Sequence, residues 1–185
     1  MMQHRVRGYL LVEMVLAIAI LVILAAIAQP DVRPIDEVQA HAAADRLATL
    51  LRDARAMALR SGAVHGVEID LVANTARVFS TDITASPLDL SATAIDPVTK
   101  ADYIVRPGRG GLAARADLVA TGKPFTYVST GGKDAVLFDA QGLPFWYKPQ
   151  TATRYFLSAC DLGVVIGASR FTVAVDALTG RVTLQ

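Results

Sequence analysis

The stretch RGYLLVEMVLAIAILVILAAIA, residues 7–28, decides how this chain is built. From Tyr9 to Ala28 it is apolar for 20 residues, broken by a single charge at Glu13. Rising ~1.5 Å per residue, a helix over this run spans about 30 Å, the hydrocarbon thickness of a bilayer. His4, Arg5 and Arg7 precede it, while Gln29-Pro30 and the mixed charges Asp31, Arg33, Asp36 and Glu37 follow. That Lys/Arg bias places the N-terminus in the cytoplasm and everything after Pro30 across the membrane. The run also explains a mean hydropathy of +0.40 in a chain of 185 residues that is 19% charged.

Composition narrows the rest. An apolar fraction of 53% excludes an intrinsically disordered chain, and the lone Cys160 excludes an internal disulfide framework. Setting aside Arg5 and Arg7 from the 18 basic residues leaves 16; setting aside Glu13 from the 17 acidic ones also leaves 16. The exported part is therefore formally neutral, which argues against general attraction to nucleic acid or anionic lipid.

Three readings of the N-terminus compete. An ordinary secretory signal has the charged start, and Ala26-Ile27-Ala28 provides small residues for cleavage. Its apolar core is normally only ~7–15 residues, however, and carries no carboxylate. A plain signal anchor has the right length but leaves Glu13 unexplained, and a carboxylate at membrane depth demands a partner and a role. The third reading explains Glu13. The string Arg7-Gly8-Tyr9-Leu10-Leu11-Val12-Glu13 closely resembles the prepilin cleavage and methylation motif of type IV pilins and type II secretion pseudopilins.

That resemblance implies a leader ending at Gly8, cleavage by a prepilin peptidase between Gly8 and Tyr9, and methylation of the new N-terminus at Tyr9. Family members usually begin with Phe or Met, so Tyr9 departs slightly. It makes Glu13 the assembly carboxylate, paired with the N-terminal amine of a neighbouring subunit, and Pro30 the proline that kinks the helix. Elementary electrostatics agrees, because a buried carboxylate needs a counter-charge.

Beyond the apolar run, Val38, Ala43, Leu47, Leu50, Leu51, Ala54, Met57 and Ala58 recur at helical steps and form one stripe. Asp45, Arg46, Arg52, Asp53, Arg55 and Arg60 fall on the other faces, where they read as solvated charges. Ser61-Gly62 is the expected stop. Pro30 and Pro34 either kink or break the junction between the two halves. A nearly continuous helix from Tyr9 to Arg60 would reach ~78 Å.

From Ala63 the period changes to two. Val67, Ile69 and Leu71 alternate with Glu68 and Asp70, and Ala73-Asn74-Thr75 turns the chain into Arg77–Ser80. Residues 81–102, rich in Ser, Thr, Asp and Pro, read as a long loop. Short strands are expected at Tyr103–Arg106, Phe125–Ser129, Ala135–Phe138 and Tyr155–Ala159. A closing hairpin is expected where Phe171, Val173 and Val175 precede a turn at Asp176–Gly180 and the strand Arg181–Leu184. The predicted fold class is α+β and pilin-like: a long N-terminal, partly transmembrane helix packed on a C-terminal antiparallel β domain. Its parts are a leader at 1–8, a membrane and filament-core half-helix at 9–28, an amphipathic half-helix at 29–61, and a periplasmic β domain at 62–185.

Several later segments look like those of GspH/FimT-type pseudopilins. They are Ala43–Leu47, Leu51–Ala58 and Arg60-Ser61-Gly62 on the helix, Phe138-Asp139-Ala140-Gln141-Gly142-Leu143-Pro144, and the hairpin from Val175-Asp176 to Thr179-Gly180-Arg181-Val182. The resemblance implies a minor structural subunit near the tip of the periplasmic pseudopilus of a type II secretion system. It implies a single-pass inner-membrane protein with a periplasmic C-terminal domain. Its partners would be the prepilin peptidase, the major pseudopilin, other minor pseudopilins and the inner-membrane assembly platform. The alternative is a FimT-like minor pilin that initiates a type IV pilus or binds DNA for uptake. Relatives that bind DNA carry a Gly-Arg-x-Arg tail; here Gly180-Arg181-Val182-Thr183 has Thr183 in place of the second arginine.

No catalytic constellation, metal site or cofactor is expected. His41 and His65 have no Cys or His at metal-ligand spacing, and Asp82, Asp89, Asp96 and Asp102 lie too far apart for an EF-hand loop. Pro107-Gly108-Arg109-Gly110-Gly111 lacks the strand–loop–helix order and GK[ST] ending of a phosphate loop. Cys160 has no nucleophile context and reads as a small core residue.

Overall fold

A computed structural model describes residues 5–27, 33–108 and 115–185. The chain divides into two compact units, Met1–Val32 and Arg33–Gln185. The first contains α1 (Arg5–Ile27). Pro30, the expected kink, lies outside the described residues.

The second unit opens with α2 (Arg33–Ser61). Its buried stripe is Ala40, Ala43, Ala44, Leu47, Ala48, Leu50, Leu51, Ala54 and Ala58, none more than 1% exposed. Steps of three and four put these side chains on one face, and the six alanines let the sheets approach closely. Val38, expected in the stripe, is instead 66% exposed. It lies seven and fourteen residues before the exposed Asp45 and Arg52, so it shares their outward face. The helix stops as expected: Gly62 adopts φ +69°, its N–H donates to Ala58 O at 3.0 Å, and Ser61 Oγ donates to Met57 O at 2.8 Å.

Among the described residues twelve strands follow: β1 (His65–Asp70), β2 (Thr75–Ser80), β3 (Ile104–Val105), β4 (Asp117–Val119), β5 (Phe125–Tyr127), β6 (Gly131–Lys133), β7 (Ala135–Phe138), β8 (Pro144–Lys148), β9 (Thr153–Cys160), β10 (Leu162–Ile166), β11 (Ser169–Val175) and β12 (Val182–Leu184). They form an eight-stranded sheet in the order β3-β2-β1-β7-β8-β9-β5-β6 and a four-stranded sheet in the order β12-β11-β10-β4. Neighbouring strands pair antiparallel throughout, as expected. Only Asp134 separates β6 from β7, so one bent run serves both as a sheet edge and as an interior strand.

Contacts of α2 with β1 and β2 on one side and β10, β11 and β12 on the other join both sheets in one core. The first hairpin has the expected turn, with Asn74 at φ +52°. Asn74 also bridges the sheets. Its amide donates to Ala116 O at 2.8 Å and accepts from Leu118 N–H at 2.9 Å, occupying the free edge of β4 as a strand would.

Four strands were not expected, each for a physical reason. β10 is an almost continuous apolar run, so it shows no period of two. β8 begins with Pro144, which usually argues against a strand. β4 and β6 are only three residues long. Loop 81–102 contains no named strand, yet Phe79 bridges Thr93 and Ile95 bridges Asp102, laying it along the sheet.

Candidate functional site

Two regions hold the residues singled out by the sequence. In α1, Gly8 and Tyr9 fall within the helical span Arg5–Ile27, but their side chains lie outside the described residues. Glu13 is described and exposed. Around it Val12, Met14, Val15, Leu16, Ile18, Ile20, Leu21, Val22, Ile23 and Leu24 are between 50% and 68% exposed. Between Val12 and Leu24 the helix thus exposes apolar side chains on every face, around one carboxylate. Among the described residues no helix is long and apolar enough to cross a membrane; the run 9–28 extends past the described side chains at both ends.

The second region lies at the C-terminal end of α2, where Arg55 holds two turns at once. Its Nε donates to Gly142 O and its Nη2 to Thr179 O, both at 3.0 Å. The β7–β8 turn and the β11–β12 turn, the two segments singled out by resemblance, are thus tied to one guanidinium. Both turns use the same local chemistry. Asp139 Oδ1 accepts from the N–H groups of Gln141 (3.0 Å) and Leu143 (2.9 Å), and Asp176 Oδ1 accepts from those of Leu178 (3.1 Å) and Thr179 (2.7 Å). Gly180 at φ +66° meets the other turn so closely that a Cβ there would lie 2.2 Å from Gly142 O.

Asp139 is the only charged residue in the described core, at 6% exposure. Arg154 Nη2 donates to its Oδ2 at 2.5 Å, and the same guanidinium sits 4.1 Å from the centre of the Phe145 ring. Burial pushes the Asp139 carboxyl up, but the hydrogen bond from Arg154 and those from Leu143 and Gln141 outweigh it and hold the pKa below the ordinary value.

The helix charges are not simply solvated, contrary to the sequence reading. Besides Arg55, Arg52 Nη2 donates to Val182 O at 3.4 Å and Asp53 Oδ2 accepts from Tyr103 OH at 2.6 Å. These partners lie at least 50 residues away in sequence, so helical periodicity alone could not reveal them. The nearest signal was the pair of Asp-to-Gly turns, whose outward carbonyls need donors.

The remaining candidates stay apart. His41 is exposed, beside Asp45 (3.7 Å) and edge-on to Phe171 at 5.1 Å. His65 sits at the α2–β1 junction. Cys160 is half-buried, its Sγ donates to Val173 O at 3.4 Å, and burial raises its pKa to about 11. Among the described residues no three His, Cys, Asp or Glu side chains converge as metal ligands. Most of the glycine-rich stretch 107–111 lies outside the described residues.

The second unit, a helix packed on antiparallel sheets, is of the α+β class. Among solved structures, the chain is similar to the minor pseudopilin EpsH of the type 2 secretion system of Vibrio cholerae: 14% identity, 80% of this chain and 96% of that chain covered, TM-score 0.49. It is also similar to the type IV minor pilin FimU of Pseudomonas aeruginosa: 12% identity, 79% and 87% covered, TM-score 0.44. No family model matches the chain. No curated protein matches it.

Proposed function

We propose that this chain is a minor pseudopilin, a non-enzymatic structural subunit that enters the periplasmic pseudopilus of a type II secretion system near its tip and supports protein export. The observation that carries this reading is α1: ten large apolar side chains at least half exposed, around one carboxylate. A helix of that kind finds its burial first in the inner membrane and then against like helices in a filament. Cleavage between Gly8 and Tyr9 would generate the amine that Glu13 of an adjacent subunit pairs with. The domain beyond Pro30 would then project into the periplasm. Near Arg181, Arg55 directs donors to the turn carbonyls of Gly142 and Thr179 and Arg52 to the carbonyl of Val182 in β12, which supports a structural role for this end over DNA binding.

Intact-mass measurement of membrane-extracted protein tests the processing: the expected mature chain begins at methylated Tyr9, and one beginning at Gln29 would sink the filament reading. Glu13→Leu tests assembly. Insertion and cleavage should persist, because neither needs the charge. Crosslinking to the major subunit should fall, because an orphaned buried charge costs about 3–5 kcal/mol. Wild-type crosslinking in Glu13→Leu would show the carboxylate to be dispensable.

A further inference from the structure

The outer face of the eight-stranded sheet, away from α2, is only partly covered. Loop 81–102 lays Leu88 and Leu90 over a small second cluster built on Phe79, Ala135, Leu137 and Phe145. Where the loop meets β8, a groove of about 390 Å³ opens between Leu88 and Leu90 on one side and Trp146 and Tyr147 on the other. Lys133 and Lys148 stand in its lining, and no carboxylate does. Lys133 Nζ lies 5.7 Å from the centre of the Trp146 ring, which keeps the ammonium at the groove. Among the described ion pairs neither lysine has a carboxylate partner. Beyond the groove the apolar surface continues: Phe156, directly across from Phe145 on the neighbouring strand, is 58% exposed, and the adjoining Val128 is 56% exposed.

We infer that this groove is a docking site for an extended segment of a neighbouring filament subunit in which apolar side chains alternate with carboxylates. The proposal rests on the assembly reading above, since α1 is what brings other subunits alongside. The chemistry follows from the lining. Aromatic and leucine walls accept one or two apolar side chains, and two unpaired lysines set the sign of the charge beside them. An extended strand presents alternate residues to opposite sides, so one face can fill the groove while flanking carboxylates reach the lysines.

The test uses the full-length protein in its native membrane with a photo-crosslinking residue at Leu90, at Leu16 in α1, and at Val72 as a distant control. The expected result is a Leu90 crosslink mapping to an acidic–apolar stretch of a pilin-like subunit, with none from Val72. Lys148→Glu, at an exposed position, should lower its yield about tenfold, because like charges then face each other. Lys133→Glu/Lys148→Glu should abolish it with the thermal melt retained. A Leu16 crosslink without a Leu90 crosslink overturns the docking proposal and leaves the assembly reading standing. Silence at both positions removes both. A Leu90 crosslink that maps to a non-pilin protein, or that survives charge reversal, also overturns the proposal.

Discussion

Between Val12 and Leu24, α1 leaves ten large apolar side chains at least half exposed, whereas between Ala40 and Ala58 α2 leaves none of its nine stripe residues more than 1% exposed. Both segments are rich in alanine and branched aliphatics, so composition does not separate them. Arrangement does. In α2 the charges lie away from the stripe, and three of them, Arg52, Asp53 and Arg55, bind the β domain. In α1 the apolar residues go all the way round, so no single partner surface within one chain can cover them. One helix is finished within its own fold; under the proposed function, the other would be finished by assembly.

The largest way to break this contrast is to remove α1. Leaving about half of ten such side chains in water forgoes on the order of 10 kcal/mol of transfer free energy. Deleting residues 1–29 should therefore abolish the need for detergent and leave a folded monomer, measured by gel filtration and circular dichroism. Aggregation of the deletion variant would mean that the α2 stripe needs a second chain.

Single truncations sharpen the contrast. Leu50→Ala should destabilise the second unit by about 2–5 kcal/mol, the usual range for emptying a packed leucine site. Leu16→Ala should leave its denaturant midpoint unchanged. Equal effects from the two would erase the distinction between a core helix and an assembly helix.

Arg55 tests the finer difference, that charges on α2 are structural. Arg55→Met removes donors from Gly142 O and Thr179 O and should cost about 1–3 kcal/mol. Faster hydrogen exchange should be confined to residues 139–143 and 176–180. Arg55→Lys should rescue little, because a single ammonium lacks the fork that reaches both carbonyls. Uniformly faster exchange across the domain would indicate general loosening instead.

The same positions show how much was readable beforehand. Periodicity located α2, its stop at Gly62, and the first and last hairpins, because each is a local pattern reinforced by a turn residue. It missed β8 and β10, where a proline and an unbroken apolar run hide the period. It also took Arg55 for a solvated charge, since its partners are 87 and 124 residues away. Turns and stripes are written locally; the donors that satisfy distant carbonyls are chosen by the packed fold. Of the candidate site, Glu13 stood out because a carboxylate in an apolar run is costly. Nothing comparable marked the groove beside Trp146, whose walls come from a loop and a strand that periodicity did not pair.

The smallest expected effect concerns pH and again contrasts a charge the fold uses with one it does not. Asp139 has a lowered carboxyl pKa in the folded chain: burial opposes ionisation, and Arg154 and two backbone N–H groups more than offset it. A lowered folded pKa means that the unfolded chain takes up the proton more readily. The stabilisation is therefore complete above the ordinary carboxylate value of 3.8 and is lost as pH falls through the lower folded value. In Asp139→Asn the acid limb of a stability–pH curve should be shallower in that window. Stability at neutral pH should also fall, because an amide forgoes the charge-assisted bond from Arg154. Asp45→Asn, on the outward face of α2 beside the exposed His41, should leave stability at neutral pH nearly unchanged. If Asp139→Asn gave the wild-type acid limb, Asp139 would contribute nothing to the acid sensitivity of the turn it organises, and Asp176 and the other carboxylates with lowered pKa would have to account for it.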